Sequence, residues 1–165
     1  MDQRTVDFAE FYEQSRDGCL RAVYASVNDR QVAEELVSEA FARAFASWRK
    51  VSRHPAPEAW IVRTSLNTGV SRWRRRRREV RWDGQEPSGG DPGESLIDAS
   101  LRDALRALPV RQREVIALRI FLDLDTQATA DALGIAPGTV RAHLHRATAA
   151  LRERLVSSNE RETAR

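Results

Sequence analysis

A stretch rich in glycine, proline, serine and acidic residues divides this chain into two parts. Residues 83–95 read DGQEPSGGDPGES and offer almost no side chain that a core could bury. Such a composition is typical of a flexible linker. A chain of 165 residues is long enough for a small domain on each side. We therefore predict a domain at 1–82, a linker at 83–97, a second domain at 98–157 and a disordered polar tail at 158–165.

Both parts carry apolar residues at helical spacing. Within residues 31–48 the apolar side chains recur every three or four positions and leave an acidic outer face. Similar spacing predicts a first helix over residues 5–27 and a third over residues 57–78. No segment alternates apolar and polar residues for long enough to indicate a sheet. The inward positions predicted for the second helix are Val32, Leu36, Ala40, Phe41, Ala44, Phe45 and Trp48.

The second part is predicted to hold four helices. Residues 96–108 form the first, which a proline ends, and residues 110–122 form the next. Asp125 is suited to cap the third helix, Gly134 to end it in the left-handed conformation, and Pro137 to begin the fourth. Helices separated by such a short turn are typical of a helix-turn-helix unit. The chain is thus predicted to be all-α, with a three- or four-helix N-terminal domain and a C-terminal helix-turn-helix domain.

The last helix is predicted to have one buried and one exposed face. Its apolar side chains recur at spacings of three and four residues, which places them on the inner face. An α-helix fits the major groove of DNA, where arginine binds two acceptors of guanine and a small apolar side chain contacts the thymine methyl group. The residues predicted to face outward are Thr139, Arg141, Ala142, His145 and Arg146, opposite Val140, Leu144, Ala147 and Leu151.

Five consecutive arginines occupy residues 74–78, and all but one of the 27 basic residues of the chain are arginine. At about 100° per residue the run points to all sides of a helix, so no single face of it could pack on a core. Such a cluster is suited to the phosphates of a nucleic-acid backbone rather than to the discrimination of bases. We predict backbone contacts for Arg74, Arg75, Arg76, Arg77 and Arg78, on a helix anchored by Val62, Leu66, Val70 and Trp73.

Several classes of protein are not indicated. One cysteine and three histidines are too few for a structural zinc site, and neither a nucleophile motif nor a phosphate-binding glycine loop occurs. Apolar runs of about 18 residues and the pattern of a signal peptide are both missing. We therefore expect a cytoplasmic protein with no enzymatic activity, no metal or cofactor, no small-molecule substrate and no membrane insertion.

Three stretches carry a resemblance to a known family. They are AEELVSEAFARAF at 33–45, AWIVRTSLNTGVSRWRRRRR at 59–78 and LPVRQREVIALRIFLDLDTQATADALGIAPGTVRAHLHRATAALR at 108–152. With the order of the domains and the linker, they resemble the extracytoplasmic-function (ECF) group of bacterial RNA polymerase sigma factors. The resemblance implies a protein that joins core RNA polymerase, directs it to a promoter and helps to open the DNA.

The resemblance implies a role for each part of the chain. The second helix would dock on the polymerase clamp through Glu34, Glu35, Leu36, Ser38 and Glu39. The −10 element would be recognised by the loop at 49–57 and by Trp60, Arg63, Asn67, Ser71, Arg72 and Arg74. The −35 element would be recognised by the last helix through Pro137, Thr139, Arg141, Ala142, His145 and Arg146. The polymerase flap and an anti-sigma factor are further implied partners, and the linker would follow the RNA exit path.

The chain departs from the usual pattern of this family at several positions. Ser38 stands where the family has Gln, Ser71 where it has Asp, and Asp125 and Ala136 where it has Ser. Polar residues at 64, 65 and 129 replace residues that are commonly apolar. Two other functions remain compatible with the residues: an autonomous helix-turn-helix regulator, which has no need of the acidic helix, and a decoy that binds polymerase or an inhibitor without reading DNA.

Overall fold

The computed structural model describes residues 1–83 and 97–164, and within those ranges the protein is built from helices, with no strand. The N-terminal lobe, residues 1–83, contains α1 (Gln3–Val27), α2 (Arg30–Ala46), the short α3 (Trp48–Val51) and α4 (Pro57–Asp83). The C-terminal lobe, residues 97–164, contains α5 (Ala99–Arg106), α6 (Val110–Ile116), α7 (Thr126–Leu133) and α8 (Pro137–Thr163). The predicted linker falls almost entirely outside the described residues.

Short side chains define where the helices begin and end. Asp2, Asp29, Asp98 and Asp125 each accept a backbone N–H in the first turn of α1, α2, α5 and α7, respectively. Such a cap stabilises a helix by about 1 kcal/mol. Gly134 ends α7 in the left-handed conformation, with φ of 66°. The predicted roles of Asp125, Gly134 and Pro137 are confirmed, while Ala136, the residue before α8, provides no side-chain cap.

Several boundaries differ from the prediction, and the predicted third helix at 57–78 extends as α4 to Asp83. The predicted second helix breaks at Ser47, where α2 ends and α3 begins. The predicted helix at 110–122 changes after Ile116 into a π-helical turn, Ala117–Phe121, in which Leu122 N–H donates to Ala117 O at 3.0 Å. The tail predicted to be disordered continues α8 as far as Thr163. Its hydroxyl groups donate to backbone carbonyls four residues back, as Ser158 does to Arg154 O at 2.9 Å, so these side chains are satisfied within the helix.

The N-terminal lobe is held by packing among α1, α2 and α4. Leu36, Ile61 and Val62 have no exposed surface, and Val23 of α1 is equally buried. An aromatic group covers one end of the lobe, with ring centroids 4.9 Å apart for Tyr12 and Phe41 and 5.0 Å for Phe11 and Trp48. Phe8 joins both by edge contacts at 6.4 and 5.3 Å. These rings fix the junction of α2 and α3.

Two apolar residues predicted to face inward are exposed. Phe45 is 41% exposed, and its ring contacts Phe8 and the Arg4 guanidinium. Arg4 also donates to Phe45 O at 2.6 Å and so caps the end of α2. Val70 is 39% exposed, whereas Leu66, one turn earlier on α4, is 7% exposed. The predicted anchor Trp73 has a side chain outside the described residues.

The two lobes share one core. A continuous cluster of buried side chains joins Val23, Leu36 and Ile61 of the N-terminal lobe to Leu118 and Val140 of the C-terminal lobe. A second cluster places Ala25 of α1 among four residues of the C-terminal lobe, namely Leu105, Leu108, Ile116 and Ala147. The prediction of two small helical domains is confirmed, and the structure adds that they are packed together.

Two arginines of the C-terminal lobe bind the end of α1. Arg113 Nη1 donates to Ser26 O at 3.1 Å. With the Asn28 amide turned so that its oxygen faces Arg106, Asn28 Oδ1 accepts from Arg106 Nε at 2.6 Å and from Nη2 at 2.9 Å. Desolvation lowers the pKa of Arg113, and the neighbouring Glu114 opposes that effect. Cations at the C-terminus of a helix interact favourably with its dipole. These contacts therefore stabilise the packing of the two lobes against each other, called the closed arrangement below.

The single cysteine is part of the shared core and gives a test of its burial. Cys19 has no exposed surface, and burial, with a smaller contribution from Glu58, raises the pKa of its thiol from the usual 9.0 to about 12. The unfolded chain therefore loses this proton at lower pH than the folded protein, and the free energy of unfolding falls as pH rises from 9.0 to about 12. Between about pH 8 and about pH 10.5, urea unfolding is expected to show a loss larger by about 2 kcal/mol than in Cys19→Ala. Equal losses in the two proteins would contradict this burial.

Candidate nucleic-acid and polymerase interfaces

The recognition helix α8 presents a polar face away from the core. Val140 and Ala147 are fully buried, which fixes the rotation of the helix about its axis. Pro137 and Ala142 are half-buried on the border of the polar face. The side chains that the structure leaves exposed on this face, called the α8 face below, are Thr139, Arg141, His145 and Arg146. His143 is half-buried, and its Nδ1 has no hydrogen-bond partner among the described residues.

The helix α4 carries a second exposed face. Residues spaced by four along a helix lie nearly above one another, so a series of side chains at every fourth position of α4 forms one row. Opposite this row, Ile61, Val62 and Leu66 pack into the core. Trp60 and Arg72 are half-buried at the edges of the row. The row consists of the exposed residues Arg63, Asn67, Ser71 and Arg75 and is called the α4 stripe below.

Part of the arginine run lies beyond what the structure describes. The backbone of α4 is helical through residues 74–78. The side chain of Arg75 is exposed. The side chains of Arg74, Arg76, Arg77 and Arg78 lie outside the described residues, so their predicted backbone contacts stay predictions.

The segment that precedes α4 is anchored at one end and capped at the other. Trp48 and Val51, which belong to α3, are buried and attach this segment to the N-terminal lobe. His54 Nδ1 accepts from Ala56 N–H at 3.1 Å, which turns the chain into α4. Arg49, Lys50 and Arg53 are exposed. The predicted −10 loop at 49–57 is therefore a constrained segment with basic side chains on its surface.

The acidic face of α2 is only partly free. Glu35 and Ser38 are exposed, whereas Glu34 forms an ion pair with Arg30 at 3.1 Å. Glu39 binds Arg43 at 2.5 Å and also accepts a hydrogen bond from Arg72 of α4. Leu36 corrects the prediction for this face, because its side chain is fully buried in the core and presents no surface to a partner.

Two polar residues that depart from the family pattern are accommodated in the core. The Ser65 hydroxyl, fully buried, donates to Ile61 O at 2.8 Å. The Thr129 hydroxyl, equally buried, donates to Asp125 O at 2.9 Å. A buried hydroxyl without a partner costs free energy, and these bonds within the helix remove most of that cost. Ser65 on α4 and Thr129 on α7 can therefore face the core without a change in the rotation of either helix about its axis.

Three interacting residues escaped prediction from the sequence. Arg106 and Arg113 bind the end of α1, and no local pattern could have identified contacts between residues so far apart in the chain. Arg43 reaches α4 and binds Thr68 Oγ1 at 3.3 Å. The one signal in the sequence was the position of Arg43 four residues after Glu39, a spacing that favours an ion pair within α2.

Neither a membrane-spanning helix nor a metal-binding cluster occurs in the described part of the chain. Within residues 1–83 and 97–164, no helix combines the length and the apolar character that crossing a membrane requires. The same residues contain no group of three or more histidine, cysteine, aspartate or glutamate side chains that could hold a metal ion.

Comparison with known proteins decides the family. Residues 11–79 match the family described as Sigma-70 region 2, and residues 98–151 match Sigma-70, region 4. The RNA polymerase sigma-E factor of Streptomyces coelicolor is 36% identical over 155 residues, which cover 92% of this chain and 88% of that protein. The ECF RNA polymerase sigma factor SigW of Bacillus subtilis is 23% identical over 165 residues, covering 90% of this chain and 88% of that protein. The chain belongs to the ECF sigma factors.

The fold of this ECF sigma factor is shared with a solved structure. The sigma factor RpoE from Bartonella quintana, crystallised with the anti-sigma factor NepR, superposes with a TM-score of 0.77 and is 25% identical. The match covers 90% of this chain and 96% of that chain. An ECF sigma factor is a non-catalytic transcription initiation factor. It binds core RNA polymerase and directs promoter-specific initiation through the −10 and −35 elements. The function predicted from the sequence is confirmed, and an autonomous regulator is not favoured.

Proposed function

We propose that three exposed surfaces of this sigma factor divide the steps of promoter recognition. The outer face of α2 binds the polymerase clamp through Glu35 and Ser38, with Glu34 beside them, whereas the Glu39 carboxylate is bound by Arg43 and by Arg72 of α4. The α4 stripe and the segment at 49–57 recognise the −10 element, with Trp60 and Arg72 at the edges of the stripe. The α8 face, bordered by Pro137 and Ala142, recognises the −35 element. The observation that carries this proposal is the exposure of an arginine-bearing row on both α4 and α8, each opposite a buried face.

The arginine run, in which Arg75 is also the last residue of the α4 stripe, is proposed to hold the DNA backbone. The helix continues through this run to Asp83, so the run extends the same axis as the stripe. Arginine is suited to phosphate, because its planar group donates several hydrogen bonds at once. The residues proposed for this grip are Arg74, Arg75, Arg76, Arg77 and Arg78.

The domain limits proposed from the sequence need one change. A polymerase-binding and −10 domain at 1–82, a linker at 83–97 and a −35 domain that begins at 98 are compatible with the two family matches. The C-terminal limit moves from 157 to 163, because α8 is continuous to Thr163. We retain the polymerase flap as a partner of the C-terminal domain and the RNA exit path as the course of the linker.

Engagement of both promoter elements requires the lobes to separate. In the closed arrangement a Cβ atom at Gly134, in the turn before α8, would lie 3.9 Å from Arg63 Nη2 of the α4 stripe. The two elements are named for positions about 25 base pairs apart, which corresponds to about 85 Å of B-DNA. Surfaces on adjoining helices cannot reach both elements at once. We therefore propose that binding to polymerase replaces the contacts between the lobes.

An anti-sigma factor is a further proposed partner. The Bartonella sigma factor was crystallised with one, and its likeness to this chain extends over both lobes. A partner that favours the closed arrangement would oppose the separation that promoter binding requires. We also propose that the protein acts in the cytoplasm, where RNA polymerase and DNA are found, and that it has no enzymatic activity.

The polymerase interface is tested by reversing a charge on α2. Glu35→Arg is expected to weaken binding to core RNA polymerase by about tenfold or more, because an exposed acidic contact becomes repulsive. The measurement is a fluorescence titration of labelled sigma factor with core enzyme at fixed salt. Glu13→Arg, which reverses an exposed charge on α1, serves as the control.

Two outcomes would contradict the assignment at different levels. Wild-type affinity in Glu35→Arg would mean that this face of α2 does not bind the clamp. Failure of the wild-type protein to bind core enzyme would contradict the function as a whole. Binding to core enzyme without run-off transcription from a matched promoter would favour a decoy.

A further inference from the structure

One arginine of the polymerase-binding helix reaches the DNA-binding helix. Arg43 of α2 donates through Nη1 to Thr68 Oγ1 of α4 at 3.3 Å and through Nη2 to Glu39 Oε1 at 2.5 Å. The other carboxylate oxygen of Glu39 accepts from Arg72 Nη2 of α4. These four side chains form one connected group across two helices, called the α2–α4 network below.

The α2–α4 network borders the α4 stripe. Thr68 follows Asn67 in the chain, and Arg72 follows Ser71, so two members of the network adjoin two members of the stripe. The side chain of Arg43 is 54% exposed and that of Arg72 is 41% exposed, against 30% for Glu39. The carboxylate is therefore the more buried partner, and the two guanidinium groups lie nearer the surface.

The charge of the α2–α4 network is unbalanced. Two arginines share one carboxylate, which leaves a net charge of about +1 at the surface beside the stripe. A guanidinium has five N–H donors, and the network uses only two of those on Arg43. Ion pairs that are this exposed contribute little to stability. The main effect of the Glu39 carboxylate is therefore to hold Arg43 and Arg72 in one orientation.

We propose that Arg43 is a further contact to the DNA backbone at the −10 element and that Glu39 is a positioning residue for Arg43 and Arg72. The inference rests on the proposed function of the α4 stripe, because it adds one phosphate contact to the same surface. It also changes the role of Glu39, which the family resemblance assigns to the polymerase clamp. The ligand is a phosphate of promoter DNA, since the neighbouring residues belong to the helix that meets DNA.

The first experiment measures the salt dependence of promoter binding by the complete holoenzyme. Loss of one phosphate contact lowers the slope of log K against log salt concentration by about 0.9 on double-stranded DNA, or about 0.7 on a single strand. Arg43→Gln is expected to show this change, with the ranking of −10 variants unaltered. Arg16→Gln is the matched control, because Arg16 has a 47% exposed side chain and an acidic neighbour on α1.

A parallel variant separates failure of this inference from failure of the proposed function. Arg63→Gln alters the α4 stripe itself and should also lower the slope. If Arg63→Gln lowers it while Arg43→Gln behaves like Arg16→Gln, the role of Arg43 is overturned and the α4 stripe stands. If neither variant changes the slope, the proposed function of the α4 stripe and the inference fail together.

The second experiment tests the positioning role of Glu39. Removal of a negative charge near DNA should by itself strengthen binding, so a decrease in promoter affinity in Glu39→Gln would report lost orientation of the arginines. We expect that decrease, with core-polymerase affinity within about twofold of wild type and no further loss when Arg43→Gln is added. Stronger promoter binding, additive effects of the two substitutions, or a large loss of core affinity would each overturn the role.

Discussion

Arg141→Ala is expected to relax the preference of the holoenzyme at one base pair of the −35 element by about 1–3 kcal/mol, which is roughly 5- to 150-fold. Arg141 lies in the second turn of α8, is exposed, and follows the buried Val140 that fixes the rotation of the helix. Its guanidinium can therefore meet a base edge when α8 enters the major groove. Alanine would remove the hydrogen bonds proposed between Arg141 and the base edge and leave the rest of the helix in place.

The measurement is a competition assay with promoters that differ at single positions of the −35 element. Arg154→Ala is the control, because Arg154 is exposed on the part of α8 beyond its buried residues. The control should leave the ranking of the promoters unchanged. Equal weakening on every promoter in Arg141→Ala would assign this arginine to a phosphate instead of a base.

Leu118→Ala is expected to lower the free energy of unfolding by about 2–5 kcal/mol. Leu118 has no exposed surface and belongs to the cluster of buried side chains that joins the two lobes. Truncation leaves a cavity at a position where both lobes contribute neighbours. Because the cluster is continuous, the loss should affect the N-terminal lobe as well as the lobe that carries the substitution.

Tryptophan fluorescence can report that coupling. All four tryptophans of the chain lie between residues 48 and 82, so their signal follows the N-terminal lobe. A urea titration of Leu118→Ala should show a lower midpoint by fluorescence and by circular dichroism alike. Val156→Ala is the control, because Val156 is 53% exposed on α8. A fluorescence midpoint equal to that of the wild type would mean that the lobes unfold independently.

Local chemistry made much of this fold predictable. Asp125, Gly134 and Pro137 act through contacts within a few residues, and the turn they define appears where the sequence indicates it. The rotation of α8 was equally predictable, because the apolar spacing that predicts a helix also selects its inner face. For the same reason, the exposure of Arg141 and His145 agrees with the outward face expected from the sequence.

Features that depend on distant residues were not predictable. Val70 is exposed although its spacing from Val62 and Leu66 indicates the core, because the neighbours that would cover it belong to other elements of the fold. Leu36 was assigned to the clamp through a family pattern, although its own apolar character and spacing already indicated the core. The contact of Arg43 with Thr68 joins side chains 25 positions apart, and only the packing of α2 on α4 reveals it.

The shared core bears on how promoter specificity could be exchanged between sigma factors. A chimera that joins residues 1–83 of this chain to the −35 domain of a relative would bring a foreign surface against the end of α1. The relative would have to supply new partners for Ser26 O and for the Asn28 amide, which Arg113 and Arg106 bind in this chain. Ala25 must also meet a surface of matching shape. Recombination at the linker thus carries a hidden requirement, because the two halves must match each other as well as the promoter.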